Sequence, residues 1–130
     1  MSYTSLSEEE ERIGKAVVNA AFQIHTELGP GLLEKVYEAC MAHLLRKAGY
    51  QVSRQEYLPV HFDGLIFDEG FRLDLLVDDL VIVELKAVNE LNPYWKAQII
   101  SHLRLTNLSL GYLINFNVTR IKDGISRFRN

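Results

Sequence analysis

Hydrophobic residues recur along the first third of the chain with the spacing of amphipathic helices. Apolar positions repeat every three or four residues over about 8–28 and again over about 32–48, and a Gly-Pro-Gly segment at 29–31 separates the two runs. Ser7 and Glu10 have the spacing of a capping box at the start of the first run. The pattern therefore predicts two helices before any strand.

From residue 51 the pattern changes to the alternation typical of strands, with β-branched and aromatic residues between turn signals. The proline that follows Asn92 predicts the start of a third helix over 93–106. Strands are predicted near 51–62, 65–68, 71–77, 80–87 and 110–116, with a last edge strand within 119–128. The order ααββββαβ predicts one α/β (α+β) domain over residues 1–130, in which helices flank a mixed central sheet.

Two of the predicted strands carry charged residues among apolar ones. Glu84 and Lys86 lie two positions apart, so they share one face of their strand, while Val83 and Leu85 belong to the other face. Asp74 lies on the preceding strand. Charged groups in such an apolar setting are costly to bury without partners. They therefore form either a structural ion pair or a site for chemistry.

The loop between these two strands decides whether Asp74 and Glu84 meet. A two-residue loop at 78–79 pairs Asp74 with Val83 and puts the carboxylates on opposite faces. A three-residue loop or a bulge sets Asp74 across from Glu84, with β-carbons about 5 Å apart, and we predict this second register. Carboxylates that close repel by about 3–4 kcal/mol at an effective dielectric constant of about 20. A proton, a lysine or a divalent cation relieves the repulsion, and hard oxygen ligands favour Mg²⁺ or Mn²⁺.

Composition narrows the classes of function. A chain of 130 residues supports one domain with a single core. The only cysteine, Cys40, excludes an intrachain disulfide and a cysteine-rich zinc site. The net charge of −3 argues against a broad basic surface that coats nucleic acid. The first residues lack a basic segment followed by an apolar one, and no apolar run reaches transmembrane length, so we expect a cytoplasmic protein without a membrane partner.

One short motif carries a family resemblance. The stretch Gly31-Leu-Leu-Glu34-Lys-Val-Tyr37 resembles the signature of the GxxExxY proteins, a small bacterial and archaeal group within the PD-(D/E)xK nuclease superfamily. The resemblance continues through Asp74 and the Glu-Leu-Lys stretch at 84–86 and covers nearly the whole chain. It implies the αβββαβ core of that superfamily, in its RecB-like or lambda-exonuclease-like branch.

The resemblance also implies roles for individual residues. Asp74 and Glu84 would hold Mg²⁺ or Mn²⁺ together with the backbone carbonyl of Leu85. Lys86 would orient or activate the attacking water and stabilise negative charge on the phosphate. Glu34, on the helix that precedes the sheet, would be a further ligand, either directly or through water.

In those branches a Gln-x-x-x-Tyr motif positions the substrate phosphate. Gln98 and His102 stand at the matching positions, four residues apart on one helix face. The histidine departs from the usual tyrosine, and this departure bears on phosphate positioning and on activity. We expect Tyr37 to be a core aromatic residue with its hydroxyl at the surface. Trp95 is expected to be a packing anchor, unless it is exposed enough to stack on a base.

The leading hypothesis is a Mg²⁺-dependent nuclease that hydrolyses phosphodiester bonds of DNA or RNA by metal-activated water, with nucleic acid as its partner. A hypothesis from another class is a nuclease-fold module without productive turnover, which acts in nucleic-acid binding or in protein assembly. Because a small acidic domain has limited surface to grip a duplex, either version could require a homo-oligomer or a partner subunit. Hydrolysis of a small phosphate ester is a third hypothesis.

Overall fold

The first two helices begin and end at the signals that the sequence provides. The structure is a computed structural model that describes residues 5–130, so the extreme N-terminus, on which the expectation about a leader segment partly rests, lies outside the described residues. Helix α1 is Glu8–Leu28 and helix α2 is Glu34–Lys47. The Ser7 hydroxyl accepts from the Glu10 backbone N–H and the Glu10 side chain accepts from the Ser7 N–H, which confirms the capping box.

Five strands form one mixed sheet with the order β1-β2-β3-β4-β5. All neighbours are antiparallel except β3 and β4, which are parallel and are joined by helix α3. The helix α3 is Pro93–Thr106, with Asn92 as its N-cap as predicted. The strands are β1 Val52–Phe62, β2 Leu65–Val77, β3 Val81–Lys86, β4 Leu110–Asn115 and β5 Ile125–Arg129, the last preceded by a 3₁₀ turn over Ile121–Gly124. The predicted class, a mixed sheet flanked by helices, is confirmed.

The predicted strand count is wrong at one place. The two strands predicted near 65–68 and 71–77 are one continuous strand, β2, so the observed order is ααβββαββ. The sequence pattern predicts a turn at Gly70, between those two strands, but Gly70 lies inside β2 opposite a register shift between Leu58 and Val60. A β-carbon at Gly70 would come within 2.7 Å of the Val60 backbone nitrogen. The glycine therefore permits a close approach of two strands and does not end one.

The sheet separates two apolar clusters. The larger cluster lies under α1 and α2 and includes Val83 and Leu85, and the smaller lies under α3 and includes Ile82. Their other members confirm most of the predicted helix faces, with Tyr37, Met41 and Leu45 fully buried. The helical spacing of the apolar positions predicts that Leu28 and Leu33 face inward, but they are 43% and 65% exposed, because both lie at helix ends beside the 29–31 segment.

The side chains of β2 change from one face of the sheet to the other at Asp74. Leu75 and Val77 belong to the cluster under α1 and α2, whereas Leu73 belongs to the cluster under α3 and Phe71 packs against it. A regular strand would put these four odd-numbered residues on a single face. Asp74 is therefore at a local break in strand geometry.

Among the helices of residues 5–130, none combines the length and the apolar character that a membrane crossing requires.

Candidate active site

The end of the β2–β3 hairpin brings Asp74 and Glu84 together. The strand pairs Leu75–Val83 and Val77–Val81 correspond to the predicted three-residue loop, and the same register sets Asp74 across from Glu84. In that loop Asp78 and Asp79 adopt left-handed conformations with φ of 50° and 54°, which aspartate tolerates better than most residues. The predicted register is confirmed.

Backbone pairing between β2 and β3 ends next to the carboxylates of Asp74 and Glu84. The last pair is Leu75–Val83. Beyond it, the Asp74 side chain takes the place of a backbone acceptor, because its Oδ2 accepts a 2.9 Å hydrogen bond from the Leu85 backbone N–H. This bond fixes the Asp74 carboxylate against β3, beside Glu84.

Glu84 is 7% exposed, and one oxygen of its carboxyl group lacks the partner that a buried polar atom requires. Its Oε1 is fully buried and has no hydrogen-bond partner among residues 5–130. Burial first, and then the neighbouring Asp74 carboxylate, raise the pKa of Glu84 to about 9, while Lys86 opposes the shift. Glu84 therefore keeps its proton at neutral pH unless a positive charge enters the site.

His102 reaches the same carboxylate from α3. Its Nδ1 lies 3.6 Å from Glu84 Oε1, too far for a hydrogen bond, and this nitrogen is also without a partner among the described residues. The imidazole is 6% exposed, and its ring centroid is 4.8 Å from that of Phe71. Burial lowers the pKa of His102, with Asp74 acting in the opposite direction. The imidazole is thus neutral beside a protonated Glu84.

Lys86 lies on the same hairpin as Asp74 and Glu84, and its ammonium group contacts an aromatic ring. Its Nζ lies 4.5 Å from the centroid of the Trp95 ring, within the range of a cation–π interaction. Trp95 is half-buried and packs against the cluster under α3. The expected role of Trp95 as a packing anchor is confirmed, with the addition that its ring face holds Lys86.

Glu34 approaches the cluster from the first turn of α2. Its side chain reaches the surface, but the part that is buried raises its pKa. The negative charges of Asp74 and Glu38 also raise this pKa, whereas the positive charges of Lys86 and Arg72 lower it. The carboxylate is therefore electrostatically coupled to Lys86 and Asp74. No group of three or more histidine, cysteine, aspartate or glutamate side chains within residues 5–130 is arranged to hold a metal ion. The structure brings Asp74 and Glu84 together and leaves Glu34 at the edge of the site.

The hydroxyl of Tyr37 is not at the surface, contrary to expectation. The residue is fully buried, and its hydroxyl accepts from the Leu32 N–H at 3.1 Å and donates to the Gly29 carbonyl at 2.7 Å. Its ring stacks on Phe116 with a centroid distance of 4.4 Å and an interplanar angle of 3°. Tyr37 therefore anchors the 29–32 segment, which directly precedes Glu34 at the start of α2.

A third buried acid, which the sequence interpretation missed, supports the strand break at Asp74. Glu38 is 6% exposed, forms an ion pair of 3.0 Å with Arg54 and accepts a hydrogen bond from the Gln55 side-chain amide. Gln55 has a left-handed φ of 52° within β1, and the register sets it opposite Asp74. The available signal was spacing, because Glu38 lies one helical turn after Glu34. Nothing in the pattern predicted the conformation of Gln55.

Gln98 and His102 line one cavity beside the acidic pair. The cavity has a volume of about 500 Å³ and lies between the β1–β2 hairpin and α3. The predicted helical spacing therefore does bring these two residues to a common surface. Arg72 and two tyrosines, Tyr57 and Tyr94, also line it.

A sequence model that describes the PD-(D/E)XK nuclease superfamily matches residues 11–128 of the chain. A search of curated proteins and a search of solved structures found no match.

Proposed function

We propose, from the premise that this chain belongs to the PD-(D/E)XK nuclease superfamily, that it hydrolyses phosphodiester bonds of DNA or RNA with the help of Mg²⁺ or Mn²⁺. The observation that carries this proposal is the buried, unpartnered Oε1 of Glu84 beside Asp74. An unsatisfied buried oxygen of this kind costs about 1–3 kcal/mol. A site that binds a cation there recovers that cost.

The residues present fit a hard divalent cation. Asp74 and Glu84 offer carboxylate oxygens, which are the donors that Mg²⁺ and Mn²⁺ prefer. The Leu85 N–H points to Asp74, and in an extended strand the carbonyl of the same residue points to the same side. The Leu85 carbonyl is therefore the third ligand that we propose. Glu34 would act from farther away, through a water molecule.

A divalent cation at this position would supply a polarised phosphoryl oxygen and a bound water of lowered pKa. The chain's own groups do the rest. Lys86, held by Trp95, donates hydrogen bonds to the attacking water or to a phosphate oxygen. Gln98 and His102 line the adjacent cavity and contact the phosphate on the substrate side.

Cleavage assays test this proposal directly. Plasmid DNA, single-stranded DNA and single-stranded RNA would be incubated with the protein in Mg²⁺, in Mn²⁺ and in EDTA. Glu84→Gln and Lys86→Met keep the side-chain size and should each lower cleavage by at least about 100-fold. Asp74→Asn should do the same and should also weaken metal binding.

Two exposed residues provide matched controls. Glu69→Gln in β2 and Lys15→Met in α1 make the same chemical changes away from the cluster and should leave cleavage within about twofold of the wild type. Equal activity in EDTA, or equal loss in the control variants, would contradict metal-dependent catalysis at this site.

One observation favours a second candidate function, a nuclease-fold module that binds nucleic acid or a protein partner without turnover. Residues 5–130 contain no arrangement of three acidic or histidine ligands, and His102 stands where the resemblance places a tyrosine. A protein that binds oligonucleotide yet cleaves no substrate in any of the metals would support this candidate. Metal-dependent cleavage that is lost in Glu84→Gln would exclude it.

A further inference from the structure

The cavity beside the acidic pair has the features of a binding site for a planar group. Its volume is about 500 Å³, and binding sites for small molecules begin at roughly 300 Å³. Tyr57 comes from β1 and Tyr94 from the first turn of α3, so two different elements contribute an aromatic ring each. Their exposed fractions are 52% and 62%. Much of each aromatic surface is therefore available to a ligand.

Polar groups accompany these rings. Arg72, Gln98 and Ser101 line the same cavity. A guanidinium recognises phosphate and also stacks on planar rings, while a serine hydroxyl both donates to and accepts from the edge of a base. Aromatic rings combined with a few such groups are the usual composition of sites that bind unstacked bases.

One residue, His102, connects the cavity to the acidic pair of Asp74 and Glu84. His102 lines the cavity, and its Nδ1 lies 3.6 Å from Glu84 Oε1. The His102 imidazole therefore separates the cavity from Glu84 and brings the cavity close to the acidic pair.

We propose that this cavity binds an unstacked nucleobase of a single-stranded nucleic acid, by stacking on Tyr57 and Tyr94. The proposal deepens the proposed function and rests on it for the reaction, but not for the binding. A base inside a duplex cannot enter a cavity of this kind without leaving its stack, which costs a few kcal/mol. Single strands avoid that cost, and the net charge of −3 leaves little general attraction for a duplex backbone.

Equilibrium binding in EDTA separates this proposal from catalysis. Fluorescence anisotropy would compare a labelled single-stranded oligonucleotide, the corresponding duplex and an abasic strand with the same backbone. Tyr57→Ala and Tyr94→Ala should each weaken binding of the single strand by about 5- to 100-fold. Tyr94→Phe keeps the ring and should restore most of the affinity.

The matched control is Phe22→Ala on α1, which removes an aromatic ring that is 43% exposed and does not line the cavity. It should bind like the wild type. The abasic strand and the duplex should bind more weakly than the single strand, and neither should respond to the tyrosine variants. Wild-type affinity in both alanine variants, or failure of the wild type to prefer the single strand, would overturn the proposal.

The two proposals fail in different ways. Tyrosine-dependent binding of single strands without cleavage in Mg²⁺ or Mn²⁺ would leave the base site standing and remove the nuclease function. Metal-dependent cleavage that requires Glu84 but is unaffected by Tyr57→Ala and Tyr94→Ala would support the nuclease function and remove the base site. Circular dichroism would verify that the variants are folded.

Discussion

Glu84 Oε1 and His102 Nδ1 lie 3.6 Å apart in the interior, and neither atom has a hydrogen-bond partner among residues 5–130. The pKa of Glu84 is raised and that of His102 is lowered, chiefly by burial in both cases. The pair is therefore uncharged at neutral pH, although a carboxylate and an imidazole at this distance could form an ion pair. A buried pair in this state stabilises the fold less than an apolar pair would.

Stability should fall as the pH rises in the absence of divalent metal. The pKa of Glu84 is about 9 in the folded protein against 4.5 for the ordinary side chain. Between these values the unfolded state binds fewer protons than the folded state, so the unfolding free energy decreases with pH, by at most about 1.4 kcal/mol per unit. The contribution is fully present below pH 4.5 and is lost by about pH 9.

Urea unfolding at pH 5, 7 and 9 in EDTA would measure this slope, and Glu84→Gln should flatten it. The same slope in the wild type and in Glu84→Gln would assign the pH dependence to other groups.

Metal binding should release a proton. Because Glu84 is protonated at pH 7 and a carboxylate must be ionised to coordinate, binding of Mg²⁺ or Mn²⁺ should release about one proton per ion. The apparent affinity should rise by up to about tenfold per pH unit between pH 5 and 9. Calorimetric titrations in buffers of different ionisation enthalpy count the released protons. Binding without proton release would mean that Glu84 is not a ligand.

Tyr37→Phe should weaken both the fold and the presentation of Glu34. The substitution keeps the stacking on Phe116 but removes the bonds to Leu32 and Gly29. The loss should be about 1–3 kcal/mol of unfolding free energy, because two partly buried hydrogen bonds are removed and each is worth about 0.5–1.5 kcal/mol. Tyr50→Phe is the control, since Tyr50 is only partly buried at the edge of the core.

A functional readout distinguishes this effect from simple destabilisation. If Tyr37 acts on the site through Glu34, then Tyr37→Phe should lower cleavage in the wild-type background and have a smaller effect in Glu34→Gln. Additive losses in the double variant would show that Tyr37 stabilises the fold alone.

Local patterns predicted much of this molecule, and the limits of the prediction have physical causes. The capping box at Ser7 and the Asn92 N-cap depend on neighbours in sequence, and both are present. The loop between the two strands left two registers open, and the predicted one, which sets Asp74 across from Glu84, is the one observed. By contrast, the Lys86–Trp95 contact and the hydroxyl partners of Tyr37 depend on tertiary packing, which no spacing encodes. Gly70 was misinterpreted because a close approach between strands and a turn both select glycine.

Trp95→Leu should reduce the contribution of Lys86 to catalysis. The cation–π contact at 4.5 Å keeps the ammonium at the edge of the site, and a contact of this type is worth about 0.5–1 kcal/mol at partly exposed positions. Loss of the ring should lower kcat by about two- to fivefold with a smaller change in KM. Trp95→Phe should retain part of the effect, and Trp95→Leu should change nothing further in a Lys86→Met background.

Glu38 offers the most stringent test of the strand break at Asp74. Its buried carboxylate binds both Arg54 and Gln55, and Gln55 has its left-handed φ of 52° directly across from Asp74. Backbone strain of this kind costs about 1–3 kcal/mol and persists only where the surroundings enforce it. Glu38→Ala should therefore relax Gln55, shift Asp74 away from Glu84 and weaken metal binding, whereas Arg54→Ala should affect stability alone.

The matched variant Gln55→Gly separates strain from side-chain contact. Glycine adopts the left-handed conformation without cost, so Gln55→Gly should retain metal affinity although its bond to Glu38 is gone. In this variant, Glu38→Ala should weaken metal binding much less than in the wild type. If Glu38→Ala weakens it equally in both backgrounds, then Glu38 does not act through the conformation of Gln55. The backbone amide of residue 55, followed by NMR, would report the conformational change without reference to activity.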